Sequence, residues 1–393
     1  MAHLMVFTID RLSNIAKKGE VLPNYYNPEN MFSQVTLVTC NWRIDTVDVA
    51  AIQPMVGAAD LDIVQYTLPS PITTCGWRFV DRWIGKGVSQ LSGMKPDLIW
   101  SLNNFQHGQL AAALSTVAEI PLAVSLHGRW DVDERHTLSR WMYSVLRRRA
   151  EEQCLQRADV TIPVYADIIP YARKRGARKI ELVYNAIDAD YLVAKTDYGL
   201  KAPPHLVTVN RQVPQKDPSN IIRAISQFKI DCRLDVIGDG PIHGRLEELV
   251  RSLGLQDRVH FYPAIANREL CGKIPEYDLL LSTCHYHGIS KTLLEAGYAG
   301  VPIIVNQRRP EPVSELNDDW TCVVEDTVDA YGQAMQRLLG DAGLRRELGE
   351  KARDTVQTKY GPQNGEKKRA AIFADLLGRD RRGVGEMVVE GAA

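Results

Sequence analysis

Short apolar, β-rich runs recur along the chain, separated by stretches whose apolar positions repeat at helical spacing. In the first half these runs are VTLVTC (35–40), DLIWSL (97–102), LAVSLH (122–127), VTIPV (160–164) and ELVY (181–184). A second series follows the polar, proline-bearing stretch KTDYGLKAPP: HLVTVN (205–210), LDVIG, RVHFY, YDLLLST, VPIIV and TCVV. Strands alternating with helices predict a parallel, doubly wound sheet in each half. Leu246, Leu249, Val250 and Leu253 stand at i, i+3, i+4 and i+7, and Gly254 before Leu255 suits a helix C-cap. The expected division is an N-terminal Rossmann-like domain at 1–195, a C-terminal one at 196–378, and a tail at 379–393 with too little apolar content to pack alone. Two such domains imply a cleft between them.

Length supports this division, since 393 residues exceed one ordinary core. Lys+Arg 47 against Asp+Glu 48 leave a net charge of -1. No global field would hold a nucleic acid, so any anion must be met locally. The seven cysteines form no C-x-x-C pair and no His-spaced zinc pattern, which predicts free thiols in a reducing compartment and no metal scaffold. No run approaches a membrane span, and Asp10 and Arg11 interrupt the start too early for a signal peptide, so a cytoplasmic location is expected.

Open parallel sheets take their ligands beyond the C-terminal ends of the strands, which directs attention to four segments. In HLVTVNRQVPQKDP, Arg211 leaves a strand end and Lys216 follows five residues later. The pair suits a diphosphate, Arg as a planar fork and Lys as a point charge; two solvated loop cations fit the spacing equally well. In LDVIGDGP, Gly238 and Gly240 occupy a strand-to-helix turn, where glycines serve either a ligand or the turn itself. In LLLSTCHYHGISKTLLEAGYAG, a strand ends near Thr283 and a helix starts near Ser290, so Gly288, Ile289 and Ser290 would present a helix N-terminus to an anion. Glu295 follows within an otherwise apolar helix, next to Leu294, and its carboxylate suits two vicinal ribose hydroxyls. In SLHGRWD, His127 ends a strand of the first half; a bystander role for it is weighed against a ligand role by its position.

At these residues the chain resembles the retaining glycosyltransferases of family 4, which have the GT-B fold. NRQVPQKDPSNIIRAI is similar to that family's Gly-Arg-Leu-x-x-x-Lys-Gly segment, DVIGDGP to its Gly-x-Gly-Pro turn, and YNAIDADYL to the Asn-x-x-Asp passage before the interdomain linker. The resemblance implies an enzyme that transfers a sugar from a nucleotide-sugar, such as a UDP- or GDP-sugar, to a sugar, glycan or lipid-linked acceptor without a further cofactor. It implies a diphosphate role for Arg211 and Lys216, a phosphate and sugar role for Gly288 through Ser290, and a ribose role for Glu295. Two departures stand out. His287 occupies the position of the first of the family's two glutamates, and the first loop holds Gly19 where many members carry paired glycines. A non-catalytic nucleotide-sugar binding relative, or a nucleotide-sugar hydrolase or epimerase on the same fold, are the alternatives. The stretch 135–149, with Trp141, Tyr143 and Arg147 to Arg149, suits either contact with an anionic lipid surface at the inner face of a membrane or a solvated helix face.

Overall fold

The structure is a computed structural model. It describes the chain apart from residues 1, 69–76, 130–137, 186, 188–190, 285–287, 308–311 and 387–393, and apart from the side chains of 18, 77–78, 138–144, 362–363 and 379–386. The chain divides into two units, Met1–Asn185 with Gly365–Ala393, and Ala186–Asn364.

The first unit runs β1 (His3–Thr8), α1 (Leu12–Lys18), β2 (Gln34–Thr39), α2 (Val49–Ile52), β3 (Asp60–Gln65), α3 (Trp77–Leu91), β4 (Leu98–Leu102), α4 (Gln106–Ala118), β5 (Leu122–Leu126), α5 (Leu138–Arg157), β6 (Val160–Pro163) and α6 (Ile168–Lys174). The second runs β7 (His205–Val209), α7 (Ser219–Gln227), β8 (Arg233–Ile237), α8 (His243–Ser252), β9 (Val259–Tyr262), α9 (Asn267–Lys273), β10 (Leu279–Ser282), α10 (Lys291–Ala299), β11 (Ile303–Asn306), β12 (Cys322–Val324), α11 (Val328–Gly340) and α12 (Ala342–Tyr360). The last helix, α13 (Pro362–Glu386), belongs mainly to the first unit.

Both sheets are parallel and have the same topology. Their orders are β3-β2-β1-β4-β5-β6 and β12-β11-β10-β7-β8-β9. Each therefore reverses direction at one place, between β1 and β4 in the first and between β7 and β10 in the second. That reversal leaves a crevice at the strand ends, where an open α/β sheet receives its ligand. Runs such as LMVF in β1 and LLLS in β10 are buried along their whole length, as strands covered by helices on both faces require.

Several elements differ from the sequence reading. The central strand β1 and the edge strand β3 were not among the expected strands. Conversely, ELVY forms no strand: only a bridge between Thr161 and Ile180 is regular, although Glu181 and Val183 donate backbone hydrogen bonds to Thr161 and Pro163 at 2.9 and 3.1 Å. The units part at 185/186 rather than at 195/196. Moreover, α13, expected in the second domain, packs on the first sheet because Phe373, fully buried, meets the rings of Trp100 and Phe32 at 5.4 and 6.2 Å. Burying a ring of that size contributes on the order of 2 to 3 kcal/mol, enough to hold a helix end in place. The expected frayed tail begins inside this helix, which continues to Glu386. The helix foreseen around Leu246 is α8, and Gly254 at φ 65 closes it by donating to the Arg251 carbonyl.

Among the described residues, six cysteines are free thiols. No helix of the described residues is long and apolar enough to cross a membrane.

Candidate functional site

The reversal point of the second sheet is built from the loops after β7 and β10, with the turn after β8 beside them. Leaving β7, the chain places Arg211 in solvent, Gln212 inside, and Lys216 half-buried at the end of a short turn. Gln212, 1% exposed, holds the two loops together. Its Nε2 donates to the Gly238 carbonyl at 2.6 Å, its Oε1 accepts from His243 Nδ1 at 2.7 Å, and its backbone N–H donates to the Asp239 carbonyl at 2.8 Å. Both glycines of the turn are explained by this clamp. Gly238 has φ +132, and a Cβ there would lie 2.0 Å from the Asn210 carbonyl oxygen. At Gly240 a Cβ would lie 2.1 Å from the Gln212 carbonyl oxygen. The close approach is thus between two protein backbones, and the effect on function is to fix the loop that carries Arg211.

The loop after β10 is fixed from the neighbouring strand. Asn306, fully buried at the end of β11, accepts from the Cys284 N–H at 2.5 Å and donates to the Cys284 carbonyl at 3.2 Å. Tyr331 braces the same point, its hydroxyl donating to the Ser282 carbonyl at 2.8 Å. The thiol of Cys284 donates to the Gly288 carbonyl at 3.6 Å, which ties the end of β10 to the residues just before the helix. Helix α10 starts at Lys291 as expected, with Ser290 as its N-cap accepting from Leu293 N–H at 3.2 Å. Ile289 and Leu294 are 4% and 2% exposed, so their side chains fill the core, and what they can offer a ligand is backbone.

The structure brings Arg211, Lys216 and the start of the β10 loop into electrostatic reach of one another. Burial lowers the Lys216 pKa below the usual lysine value, Cys284 opposes that shift, and Arg211 adds to it. Two cations that repel in a partly dry site are stabilised by an anion placed between them. His287 lies outside the described residues.

Glu295 is 1% exposed and held in place. Its Oε1 accepts from Asn267 Nδ2 at 2.7 Å and lies 3.7 Å from Lys291 Nζ, which also donates to Asn267 Oδ1 at 3.2 Å. The cost of burying this carboxylate is therefore offset by a charge-assisted network. Sequence reasoning missed Asn267, Lys291, Gln212 and Asn306. Lys291 had a signal, since it stands one helical turn before Glu295, and Asn267 opens α9 in the segment after strand β9.

The remaining expected residues lie in the first unit. Gly19 does not stand at the end of β1: it is the C-cap of α1, at φ 66, with its N–H on the Ala16 carbonyl, and that accounts for a glycine there. The strand end itself carries Thr8 and Asp10, whose N–H donates to Thr8 Oγ1 at 3.0 Å. His127 follows β5 directly, and its backbone N–H donates to Asn103 Oδ1 at 3.0 Å. Burial, reinforced by the positive charge of Arg369, lowers its pKa to about 4, so the imidazole is neutral at pH 7. The arginine run of α5 has carboxylate neighbours: Arg147 on Glu151 at 3.0 Å, Arg148 on Glu152 at 2.8 Å, and Arg149 near Asp81 at 3.7 Å. Trp141 and Tyr143 belong to the side chains outside the description. The sequence holds three D-x-D pairs: Asp60 and Asp62 lie on β3, where Asp62 accepts from Gln34 Nε2 at 3.0 Å, while Asp131/Asp133 and Asp188/Asp190 are outside the described residues.

Comparison with known proteins covers most of this framework. Residues 195–355 match the family described as Glycosyl transferases group 1, and residues 33–191 match Glycosyltransferase Family 4. Over 242 residues, 58% of the chain, the sequence is 28% identical to the N-acetyl-alpha-D-glucosaminyl L-malate synthase of Bacillus anthracis. Over 191 residues, 46% of the chain, it is 29% identical to a GDP-mannose-dependent alpha-(1-6)-phosphatidylinositol monomannoside mannosyltransferase of Mycolicibacterium smegmatis. The chain spans 63% and 49% of the lengths of these two relatives. The crystal structure of Anabaena Alr3699/HepE in complex with UDP superposes with a TM-score of 0.74, covering 95% of this chain and 100% of that one at 14% identity, a likeness of fold.

Proposed function

The chain belongs to the glycosyltransferases with a family 4 first half, a group 1 second half and the GT-B fold, and from that premise we propose that it is a cytoplasmic enzyme using a nucleotide-sugar donor. The donor is a UDP- or GDP-sugar, the acceptor is a hydroxyl of a sugar, glycan or lipid-linked molecule, and the configuration is retained. The observation that carries this reading is that Arg211 and Lys216 follow β7 at the reversal point of the second sheet, with Cys284, just after β10, within electrostatic reach of Lys216. A diphosphate is the ligand that two cations and a helix N-terminus suit together. The names of the relatives support the donor class: one uses GDP-mannose, and a protein of the same fold was crystallised with UDP.

In the proposed reaction the bond between the sugar's anomeric carbon and the diphosphate oxygen breaks, and the acceptor oxygen bonds to the same face. The acceptor proton passes to the departing phosphate oxygen, so no protein base is needed. Negative charge grows on that oxygen in the transition state. Arg211, Lys216 and the α10 N-terminus, held in advance by Gln212 and Asn306, stabilise it without reorganising. The same groups supply the positive charge for which other enzymes use a metal, so turnover should survive a chelator. Glu295, oriented by Asn267 and Lys291, accepts from the ribose hydroxyls, and the family resemblance assigns a donor-sugar role to His287. His127 serves on the acceptor side.

The test is product analysis with a panel of UDP- and GDP-sugars, with and without acceptors, reading anomeric configuration by NMR. Transfer with retention supports the proposal. Release of free sugar at the same rate without any acceptor would instead make the chain a nucleotide-sugar hydrolase.

A further inference from the structure

One cation of the first unit has no counterpart in the site described so far. Arg369, on α13, is 7% exposed, and its guanidinium carbon lies 5.1 Å from the ring centroid of Trp100 and 5.6 Å from that of Tyr25. Among the described residues it makes no hydrogen bond and no ion pair, and its Nε is buried without a partner. The carboxylate on its own helix, Glu366, accepts from the Glu29 N–H at 2.9 Å, which turns it to the 24–30 loop. Asp10 and the Tyr25 hydroxyl are the other titratable groups about Tyr25, and Asp10 is held by Thr8. Two aromatic faces attract a guanidinium, but they do not replace the hydrogen bonds that water gave its five N–H groups.

The position of this cation is informative. Trp100 is on β4, paired with Val6 of β1 on one side and Ala123 of β5 on the other. Arg369 is thus beside the reversal point of the first sheet, the place where such a sheet takes its ligand. His127, at the end of β5, is within its electrostatic reach. Its neutral ring can donate one hydrogen bond and accept another. The two ring centroids are 6.3 Å apart, so both rings lie to one side of the guanidinium, and neither takes up its N–H groups, which are left for a forked acceptor.

We propose that Arg369 binds an oxyanion, a carboxylate or phosphate, carried by the acceptor, with the neutral His127 available as a second donor. The binding is independent of the proposed reaction; only the assignment of the oxyanion to the acceptor rests on it. The first unit would thereby select acceptors that are anionic near the hydroxyl to be glycosylated.

The full chain and its Arg369→Met, Arg369→Lys and Lys216→Ala variants are titrated by calorimetry with succinate, with inorganic phosphate, and with farnesyl diphosphate in dodecyl maltoside micelles. Wild type is expected to bind at least one probe, Arg369→Met to lose tenfold or more, and Arg369→Lys to lose less because it keeps the charge without the fork. Lys216→Ala should retain the succinate affinity, which separates this site from the donor site. Affinity for the soluble probes points to a small acidic acceptor, and affinity for farnesyl diphosphate alone to a lipid-linked one. Wild type binding none of the three at millimolar concentration, or Arg369→Met binding as wild type does, overturns the proposal. Should Arg369→Met not fold, equal affinity of Arg369→Lys and wild type overturns it. Oxyanion binding through Arg369 in a chain that transfers no sugar would keep this site and remove the proposed function; transfer with an anionic acceptor whose KM is unchanged in Arg369→Lys would do the reverse.

Discussion

Gln212→Met keeps the side-chain volume nearly constant while removing two hydrogen bonds, so it isolates what the clamp contributes. His243 loses one of them at little cost, because its side chain is 37% exposed and has Glu247 3.3 Å away. The larger cost falls on the Gly238 carbonyl. It is buried, its bond to Gln212 is 2.6 Å long, and no other donor among the described residues serves it. Leaving such an acceptor unpaired costs about 1 to 3 kcal/mol, which corresponds to roughly a 5- to 150-fold change in a local opening equilibrium. The place to read this is the amide exchange of Gly238, which donates to the Tyr262 carbonyl at 2.9 Å, and of Ile242, which donates to the Gln212 carbonyl at 3.3 Å. Hydrogen exchange of the intact chain should show both amides losing protection by that factor, with β1 to β6 unaffected. The affinity for a nucleoside diphosphate should fall as well, since Arg211 is on the loosened loop. Unchanged protection at Gly238 and Ile242 would mean that water replaces the amide, and the argument that Gln212 organises the site would fail.

Three further outcomes follow from the same geometry. Gly238→Ala should cost more than Gln212→Met, because its Cβ would lie 2.0 Å from the backbone oxygen of Asn210 rather than against a movable side chain; a urea midpoint equal to that of wild type would contradict the close approach. His107 and His127 are both lowered to about 4, chiefly by burial, so both are neutral in the fold and protonated at mildly acidic pH when unfolded. Their contribution is complete above about pH 6.5 and is lost as pH falls toward 4, each by an amount on the order of 3 kcal/mol; His127→Gln should flatten part of that dependence, and an identical pH profile would refute it. His287→Gln and His287→Glu should each lower donor turnover or change donor preference, as the resemblance implies for the first position of the family's glutamate pair; turnover and preference equal to wild type in both would take His287 out of the site.

Much of the second unit was legible because its strands end in chemistry-bearing residues: Arg211 after β7, the glycine turn after β8, and Ser290 before α10 are where spacing and turn signals put them. The first unit was harder to read. The strand β1 is a short apolar run at the very start of the chain, where only its pairing with β2 and β4 reveals that it is central. In β3, Asp60 and Asp62 break the apolar pattern because one edge strand meets solvent. The return of α13 to the first sheet, and with it Arg369, depends on a contact between residues far apart in sequence, Trp100 and Phe373, that no local pattern carries. Gln212 and Asn306 were invisible for a related reason: an amide that bonds backbone across strands looks like any other polar loop residue until the partners are known. Gly19 was the opposite case, a glycine with an ordinary helix-capping role in a place where a ligand role was expected.

The claim on which the account depends most is that Arg211 and Lys216 form a clamp for the donor diphosphate. Calorimetric titration of wild type, Arg211→Ala and Lys216→Ala with UDP and GDP, and with uridine and guanosine, tests it directly. Each charge-assisted hydrogen bond to phosphate contributes about 1.5 to 3 kcal/mol, so each variant should lose roughly 10- to 100-fold in affinity for the preferred diphosphate. Nucleoside affinity should stay within about twofold of wild type, because surface changes away from a contact are usually within 0.5 kcal/mol. Equal losses for nucleoside and diphosphate, or no loss for either, would contradict the clamp and with it the assignment of the second unit as the donor site.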